Sequence, residues 1–258
     1  MVHMDLFDAT LLGIVQGLTE FIPVSSSGHL ILARALLGVS GEGSLAFDVT
    51  LHFATALAVL VYFRRDVFAM LARPREHRVL WGALVLGTIP AALIGSTMGD
   101  TITEATRHAS VVAWMLVLGS VLFVLAERFG SRVEKLSVRK GFLIGVFQSF
   151  ALVPGLSRSG ASISAGILLG LDRERATRFA FLLGFPIILG TGLLKLAELL
   201  GAGEGAGGEW GALIVGSLVA FFVGLFAIHW MLSFLRTHSL YGFALYRVLL
   251  ALLVALFL

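Results

Sequence analysis

Two long apolar stretches of this 258-residue chain are each broken near the middle by a polar cluster, and that interruption limits the available folds more than any other feature. Residues 6–38 enclose the polar run from Gln16 to His29, and residues 141–170 enclose Pro154-Gly155-Leu156-Ser157-Arg158-Ser159-Gly160. The apolar flanks are about 12–16 residues each, short of the roughly 20 that a helix needs to cross about 30 Å of hydrocarbon. Backbone broken inside a bilayer has to hide its polar groups in protein or against a cavity, as half-helices that enter and turn back do. Both stretches therefore read as re-entrant helix-loop-helix pairs. Six other apolar segments, near 45–63, 81–99, 110–127, 176–198, 210–234 and 240–258, are long enough to span. The chain is 58% apolar and 14% charged, against roughly 45–50% and 25% for ordinary soluble domains. The fold class expected is an all-α integral membrane protein, with six transmembrane helices and two re-entrant pairs in a single membrane domain over 1–258.

The formal net charge of +3 has a topological reading. Basic residues gather in the connections 64–80 (Arg64, Arg65, Arg73, Arg75, Arg78), 128–140 (Arg128, Arg132, Lys135, Arg139, Lys140) and 171–178 (Arg173, Arg175, Arg178). Connections 1–8, 39–44, 99–109 and the Gly-rich 199–209 hold only Arg107. The positive-inside rule puts the first set in the cytoplasm and, once the chain is threaded, both termini outside. Basic residues clustered in a few short connections make no stripe for a nucleic-acid partner. No cysteine is present, which excludes a disulfide framework and thiolate metal sites. The N-terminus has no basic n-region, and Gln16 and Glu20 interrupt its apolar run, so it does not read as a cleavable signal.

The chain also matches itself. At a shift of 132 positions, Gly13, Gln16, Ser25, Ser27, Gly28 and Gly38 meet identical residues at Gly145, Gln148, Ser157, Ser159, Gly160 and Gly170. At a shift of 129, Trp81-Gly-Ala-Leu meets Trp210-Gly-Ala-Leu, and Gly87 and Gly95 meet Gly216 and Gly224. Each half, about 1–130 and about 138–258, holds one hairpin and three spans. Three being odd, the second half runs inverted, which brings the two broken loops together from opposite faces near a pseudo-two-fold axis.

The loops carry the candidate chemistry. Gln16 and Glu20 are four apart and share a helical face. A carboxylate within hydrocarbon costs at least about 2.5 kcal/mol and usually lines a cavity or serves function, a structural cap on broken backbone being the alternative. Ser25, Ser26, Ser27 and Gly28 precede an apolar helix, where hydroxyls and unpaired N–H groups favour anions, although serine is also an ordinary N-cap. His29, just inside that N-terminus, can be nucleophile, general acid or base. The second loop adds a fixed cation: Arg158 suits bidentate contact with phosphate oxygens, or an ion pair with Glu20 across the pseudo-axis. Gly155, Ser157, Ser159 and Ser162 flank it at another helix N-terminus. Asp48 and His52 share a face and are weaker candidates, Lys195 and Glu198 read as snorkelling, and His229 and Arg247 read as structural. No HExxH, Walker A or GxSxG run occurs.

These residues resemble the bacterial undecaprenyl-pyrophosphate phosphatases of the bacitracin-resistance type, along essentially the whole chain. Gln16 to Glu20 is similar to that family's (E/Q)xxxE motif, the following segment to His29 resembles its Ser/His segment, and Pro154 to Ser162 resembles its PGxSRSxx(S/T) signature. The resemblance implies a multi-pass protein of the bacterial plasma membrane with its site open to the outer face. It also implies release of inorganic phosphate from undecaprenyl pyrophosphate, recycling the cell-wall lipid carrier. A divalent cation, Mg or Ca, is implied too, with Glu20 as a ligand. Gln16 stands where many members have a first Glu, which leaves one carboxylate, and Ser162 replaces the commoner Thr.

The mechanism expected is in-line displacement at the terminal phosphate. Glu20, Ser26, His29 and Arg158 are the catalytic set, and Gln16, Ser25, Ser27, Gly28, Gly155, Ser157, Ser159 and Ser162 bind substrate. Ser26, His29 and an activated water all remain open as nucleophile. The partners expected are the polyprenyl pyrophosphate lipid and the bilayer, with a homodimer left open. The rival reading is a polyprenyl-phosphate transporter or flippase, which the same inverted-repeat architecture would serve.

Overall fold

The computed structural model describes residues 5–39, 44–106, 108–131, 134–201 and 210–257, and these are all helix, turn and coil. In chain order the helices are α1 (Leu6–Thr19), α2 (Ser26–Leu37), α3 (Ser44–Tyr62), α4 (Arg64–Ala72), α5 (Arg78–Ala105) and α6 (Ala109–Phe129), then α7 (Val138–Phe150), α8 (Arg158–Leu168), α9 (Arg173–Gly201), α10 (Trp210–Thr237) and α11 (Tyr241–Phe257). Four contain stretches long and apolar enough to cross a membrane: Arg78–Gly99, Ala109–Phe129, Arg173–Leu194 and Trp210–Thr237. Leu6–Thr19, Phe47–Tyr62 and Tyr241–Leu256 are shorter apolar helices. Large apolar side chains such as Trp114, Phe222, Phe226 and Leu256 stand exposed on the outside of the bundle, as lipid contact requires. The chain is a multi-pass membrane protein.

Both interrupted stretches fold as a helix, a turn and a second helix. Asp5 starts α1 by accepting from the backbone N–H of Asp8 at 2.7 Å. Pro23 and Pro154 lie in the two breaks, where neither can continue a helix. The helix after each break ends at a glycine in the left-handed region, Gly38 (φ 67°) and Gly170 (φ 94°), which are counterparts under the 132-residue shift.

Packing follows the same duplication. The first helix of each pair lies against a long helix of the other half, α1 on α10 and α7 on α5. Both contacts need glycine. A Cβ on Gly13 would sit 2.6 Å from the carbonyl oxygen of Gly216, and one on Gly145 would sit 2.0 Å from that of Gly87, so bare backbones touch in matching places. Helices α3, α8 and α9 fill the centre around Phe21, Phe63, Phe123, Ile163 and Leu183.

Two expected connections are partly helical. Within 64–80, α4 forms because Val67 and Met70 lie one turn apart, and the indole N–H of Trp81 donates to the carbonyl of Met70 at 3.0 Å. The 171–178 connection joins α9, whose start is capped by Asp172 Oδ1 accepting from the N–H of Arg175 at 2.8 Å. Ion pairs tie these basic elements to one end of the bundle: Arg178 with Asp66 at 2.5 Å, Arg173 with Glu127 at 2.8 Å, and Arg236 with Glu174 at 2.7 Å. Arg107, Arg132 and the Gly-rich 202–209 lie outside the described residues, as do the side chains of Lys195 and Glu198.

Candidate active site

The two breaks meet. Glu20 caps the C-terminus of α1 and is buried, and Arg158 opens α8 from the other half. The Arg158 guanidinium donates directly to Glu20 Oε1. The other carboxylate oxygen, Oε2, accepts from Gln16 Nε2 at 3.0 Å and from the hydroxyl of Ser26 at 2.9 Å. Three residues singled out in the sequence therefore converge on the carboxylate of a fourth, Glu20, with Gln16 on the same face of α1 as expected. The ion pair between Glu20 and Arg158 is a contact, with no diphosphate-sized gap left between the two groups.

His52, from α3, is a fifth member. Its Nδ1 lies 3.2 Å from Gln16 Nε2 and 3.9 Å from Glu20 Oε2. An amide nitrogen only donates, so Nδ1 is the acceptor and the ring carries its proton on Nε2. Asp48, on the same helix, is turned elsewhere: it takes an ion pair from Arg34 of α2, whose Nη1 lies 3.1 Å from Asp48 Oδ2.

The hydroxyl segments are held in matching conformations. Ser25 and Ser157, 132 positions apart, both have positive φ, 78° and 71°, and are the two non-glycine residues that do so among the described ones. Such a backbone costs of order 1–3 kcal/mol per residue and tends to gather at functional sites. In each segment the strained serine lies beside its second neighbour, Ser25 Oγ to Ser27 Oγ and Ser157 Oγ to Ser159 Oγ, both at 3.3 Å. Ser157 also caps α8 by accepting from the N–H of Gly160 at 3.3 Å. The first turns of α2 and α8 leave backbone N–H groups free for an anion, including that of Gly28. Gly155 (φ 100°) has to be glycine, since a Cβ there would lie 2.6 Å from the carbonyl oxygen of Val112. Ser162, one turn after Arg158 on α8, is buried with its hydroxyl unpartnered, and Gln16 Oε1 is likewise buried and unpartnered.

His29 faces a different set of groups. Its Nδ1 lies 2.8 Å from the carbonyl of Ser25 and its Nε2 lies 2.7 Å from the hydroxyl of Tyr246 in α11. With both ring nitrogens occupied, in-line attack by His29 would first require breaking the bond to Tyr246. Ser26, by contrast, already donates its hydroxyl to a carboxylate, the arrangement that activates a nucleophile.

Two further residues serve the site from outside the motifs. Gly184 of α9 gives Arg158 its room, since a Cβ there would sit 1.8 Å from Nη1. Arg247, fully buried, donates to the carbonyls of Pro23, Gly155 and Leu156 in the two breaks, at 3.1, 2.9 and 3.0 Å, and to those of Met115 and Leu116 in α6. Arg247 thus bolts both loops to α6 and α11, in keeping with its structural reading. His229 pairs with Tyr62 at 3.2 Å, away from the motif residues.

For a divalent cation the available donors are few. Glu20 is the one carboxylate at the convergence, its oxygens are shared with Arg158, Ser26 and Gln16, and no cluster of three His, Cys, Asp or Glu occurs among the described residues. That set fits a cation held largely by a substrate's own phosphates, the usual mode for Mg, with Glu20 and the unpartnered Gln16 Oε1 as the protein's contribution.

The fold and this site define a class: a multi-pass helical membrane protein in which two broken helix pairs bring a carboxylate, a serine and an arginine to one buried point. The profile of the family described as bacitracin resistance protein BacA matches residues 9–253, and the chain belongs to that family. It is 45% identical to an undecaprenyl-diphosphatase of Rubrobacter xylanophilus over 98% of each chain, and 43% identical to one of Trichlorobacter lovleyi over 95% of this chain and 94% of the other. An undecaprenyl-diphosphatase of Mycobacterium ulcerans is 41% identical over 99% and 97%.

Proposed function

We propose that this protein hydrolyses undecaprenyl pyrophosphate to undecaprenyl phosphate and inorganic phosphate, with Ser26 as nucleophile, Glu20 as its base and Arg158 as the anion clamp. The observation that carries this reading is the chain of contacts from Ser26 Oγ through the Glu20 carboxylate to the Arg158 guanidinium. Family membership and the relatives' activity support the substrate.

In the resting site Arg158 neutralises Glu20. An incoming diphosphate competes for the guanidinium, which forks onto phosphate oxygens and frees the carboxylate to accept the Ser26 proton. Ser26 Oγ then attacks the terminal phosphorus in line, and the bond to the bridging oxygen breaks. That oxygen leaves on the lipid monophosphate, while Arg158 and the N–H groups of the two helix starts hold the developing charge. Water next attacks the phosphoserine; Glu20 returns its proton to Ser26 Oγ, and the water's proton departs with inorganic phosphate. Ser162 Oγ and Gln16 Oε1, buried without protein partners, are available to the substrate's oxygens or to its cation. A divalent cation, Mg or Ca, arriving with the substrate would neutralise part of the phosphate charge against Glu20 and Gln16.

The finer architecture belongs to the same proposal. Helices α3, α5, α6, α9, α10 and α11 are the six spans, the α1–α2 and α7–α8 pairs are re-entrant, and the halves 1–130 and 138–258 are inverted repeats. The paired positive-φ serines and the exchanged packing of α1 on α10 and α7 on α5 support this arrangement. The ion-paired basic end faces the cytoplasm of a bacterial plasma membrane, and the site opens to the outer face.

The test is phosphate release by purified protein in detergent, where no sealed membrane exists for a transporter to act across. Wild-type protein releases phosphate, and Ser26→Ala, Glu20→Gln and Arg158→Lys lose most of that activity while remaining folded. Hydrolysis that survives all three substitutions, or wild-type protein that releases none, overturns the assignment.

A further inference from the structure

We propose that Tyr246 is a positioning residue of this site, its hydroxyl holding His29 in one tautomer and one orientation beside Ser26. The inference rests on the hydrolytic reading above. It starts from the two partners of the His29 ring. A backbone carbonyl can only accept, so the 2.8 Å contact with Ser25 requires a proton on Nδ1. In the neutral ring Nε2 is then the acceptor, and the Tyr246 hydroxyl, 2.7 Å away, donates to it. Either bond alone would leave the ring free to tilt. Together they fix its plane and its proton.

Each end of this connection is itself anchored. The Ser25 carbonyl belongs to a residue held at φ 78° and also accepts the backbone N–H of His29 at 3.2 Å, so strained backbone and ring are locked to the same oxygen. On the other side, Tyr246 precedes Arg247, whose five carbonyl bonds fasten α11 to the Pro23 break, the Gly155–Leu156 break and α6. The register of α11 is thereby set by the same loops that carry Glu20 and Arg158, and Tyr246 is carried to the start of α2 by that register. Tyr246 is 44% exposed, so its burial contributes less to the fold than a core aromatic would; its ring stacks on that of His29 with centroids 5.7 Å apart, and its hydroxyl is the polar group that meets the imidazole. With Nδ1 on the Ser25 carbonyl and Nε2 on the phenol, the ring holds the strained Ser25 backbone in place, and with it the start of α2 that carries Ser26. Without the phenol, Nε2 loses its donor, and the ring is free to swing off the Ser25 carbonyl and so to exchange tautomers.

The experiment uses full-length protein in detergent, wild type and Tyr246→Phe, which removes one oxygen and keeps the ring. Histidine labelled with 15N reports the tautomer, with the His29 signal assigned by its loss in His29→Gln. Steady-state phosphate release from undecaprenyl pyrophosphate gives kcat and KM, and the thermal midpoint reports the fold. Wild-type protein shows His29 in the Nδ1–H form. Tyr246→Phe shows a mixture of tautomers and a kcat lower by about tenfold or more, with KM within about twofold and the thermal midpoint unchanged. An unaltered tautomer, a kcat within about twofold of wild type, or a kcat that falls only in step with the thermal midpoint overturns the proposal. Failure of the hydrolytic reading is recognised separately, since wild-type protein would then release no phosphate whatever the state of His29.

Discussion

Gly184→Ala separates the fold from the chemistry. The added Cβ would lie 1.8 Å from Arg158 Nη1 and 3.0 Å from Cζ. Ordinary contact begins near 3.4 Å, so the guanidinium has to retreat by about 1.6 Å. That displacement takes it off Glu20 Oε1 and away from the position where it would meet a phosphate oxygen. The obstacle is the mobile end of a side chain, with no backbone atom in the way, so the helix can stay in place and stability falls by about 1–3 kcal/mol. A misplacement of roughly 1 Å at a reacting group costs about a hundredfold in rate, equivalent to about 2.7 kcal/mol of transition-state stabilisation. The expected result is a kcat/KM for phosphate release lower by about a hundredfold, with a thermal midpoint no more than about 10 °C below wild type. A kcat/KM within threefold of wild type would refute the assignment of Arg158 to the anion. A loss of activity that merely tracks unfolding would refute the claim that the side chain, and not the helix, is what moves.

Other substitutions test the scaffold. Arg247→Met leaves five carbonyls in the two breaks and α6 without their shared donor, at about 1–3 kcal/mol for each one left unpaired, and these costs do not simply add. Its thermal midpoint in detergent is expected to fall by at least 5 °C, and a change under 2 °C would show that the bolt is dispensable. Ser25→Gly relieves a positive φ at a residue whose side chain caps nothing, so the midpoint is expected to hold or rise. Ser157→Gly relieves the same strain but loses the cap on Gly160 N, and its midpoint is expected to fall below that of Ser25→Gly. Equal midpoints for the pair would count against this account of the strain.

What could be read from the sequence was local or duplicated. Pro23 and Pro154 mark the breaks because each stands beside a serine cluster, whereas Pro90 and Pro186, set among apolar neighbours, lie inside α5 and α9. The 132-residue shift pairs Ser25 with Ser157 and Gly38 with Gly170, and these pairs share unusual backbone angles because each half repeats one local solution. The Glu20 to Arg158 contact was open to expectation because a buried carboxylate and a buried arginine each need a counter-charge. Tyr246, Gly184 and the bonds of Arg247 carried no such signal. Tyr246 reaches His29 across 217 positions, and a tyrosine near the end of an apolar helix reads as an interfacial anchor. Gly184 reads as one more small residue in a helix interface. The amphipathic α4 was hidden because its arginines mark a connection on charge alone, while Val67 and Met70 supply the buried face.

The most direct test of the central claim is to trap the covalent intermediate. Protein mixed with undecaprenyl pyrophosphate labelled in its terminal phosphate, quenched in acid within one turnover and digested, is predicted to carry an acid-stable, base-labile phosphate on Ser26 that is missing in Ser26→Ala. Label on His29, recognised by its acid lability, or unlabelled protein despite measured turnover would contradict a serine activated by Glu20 and poised by Arg158.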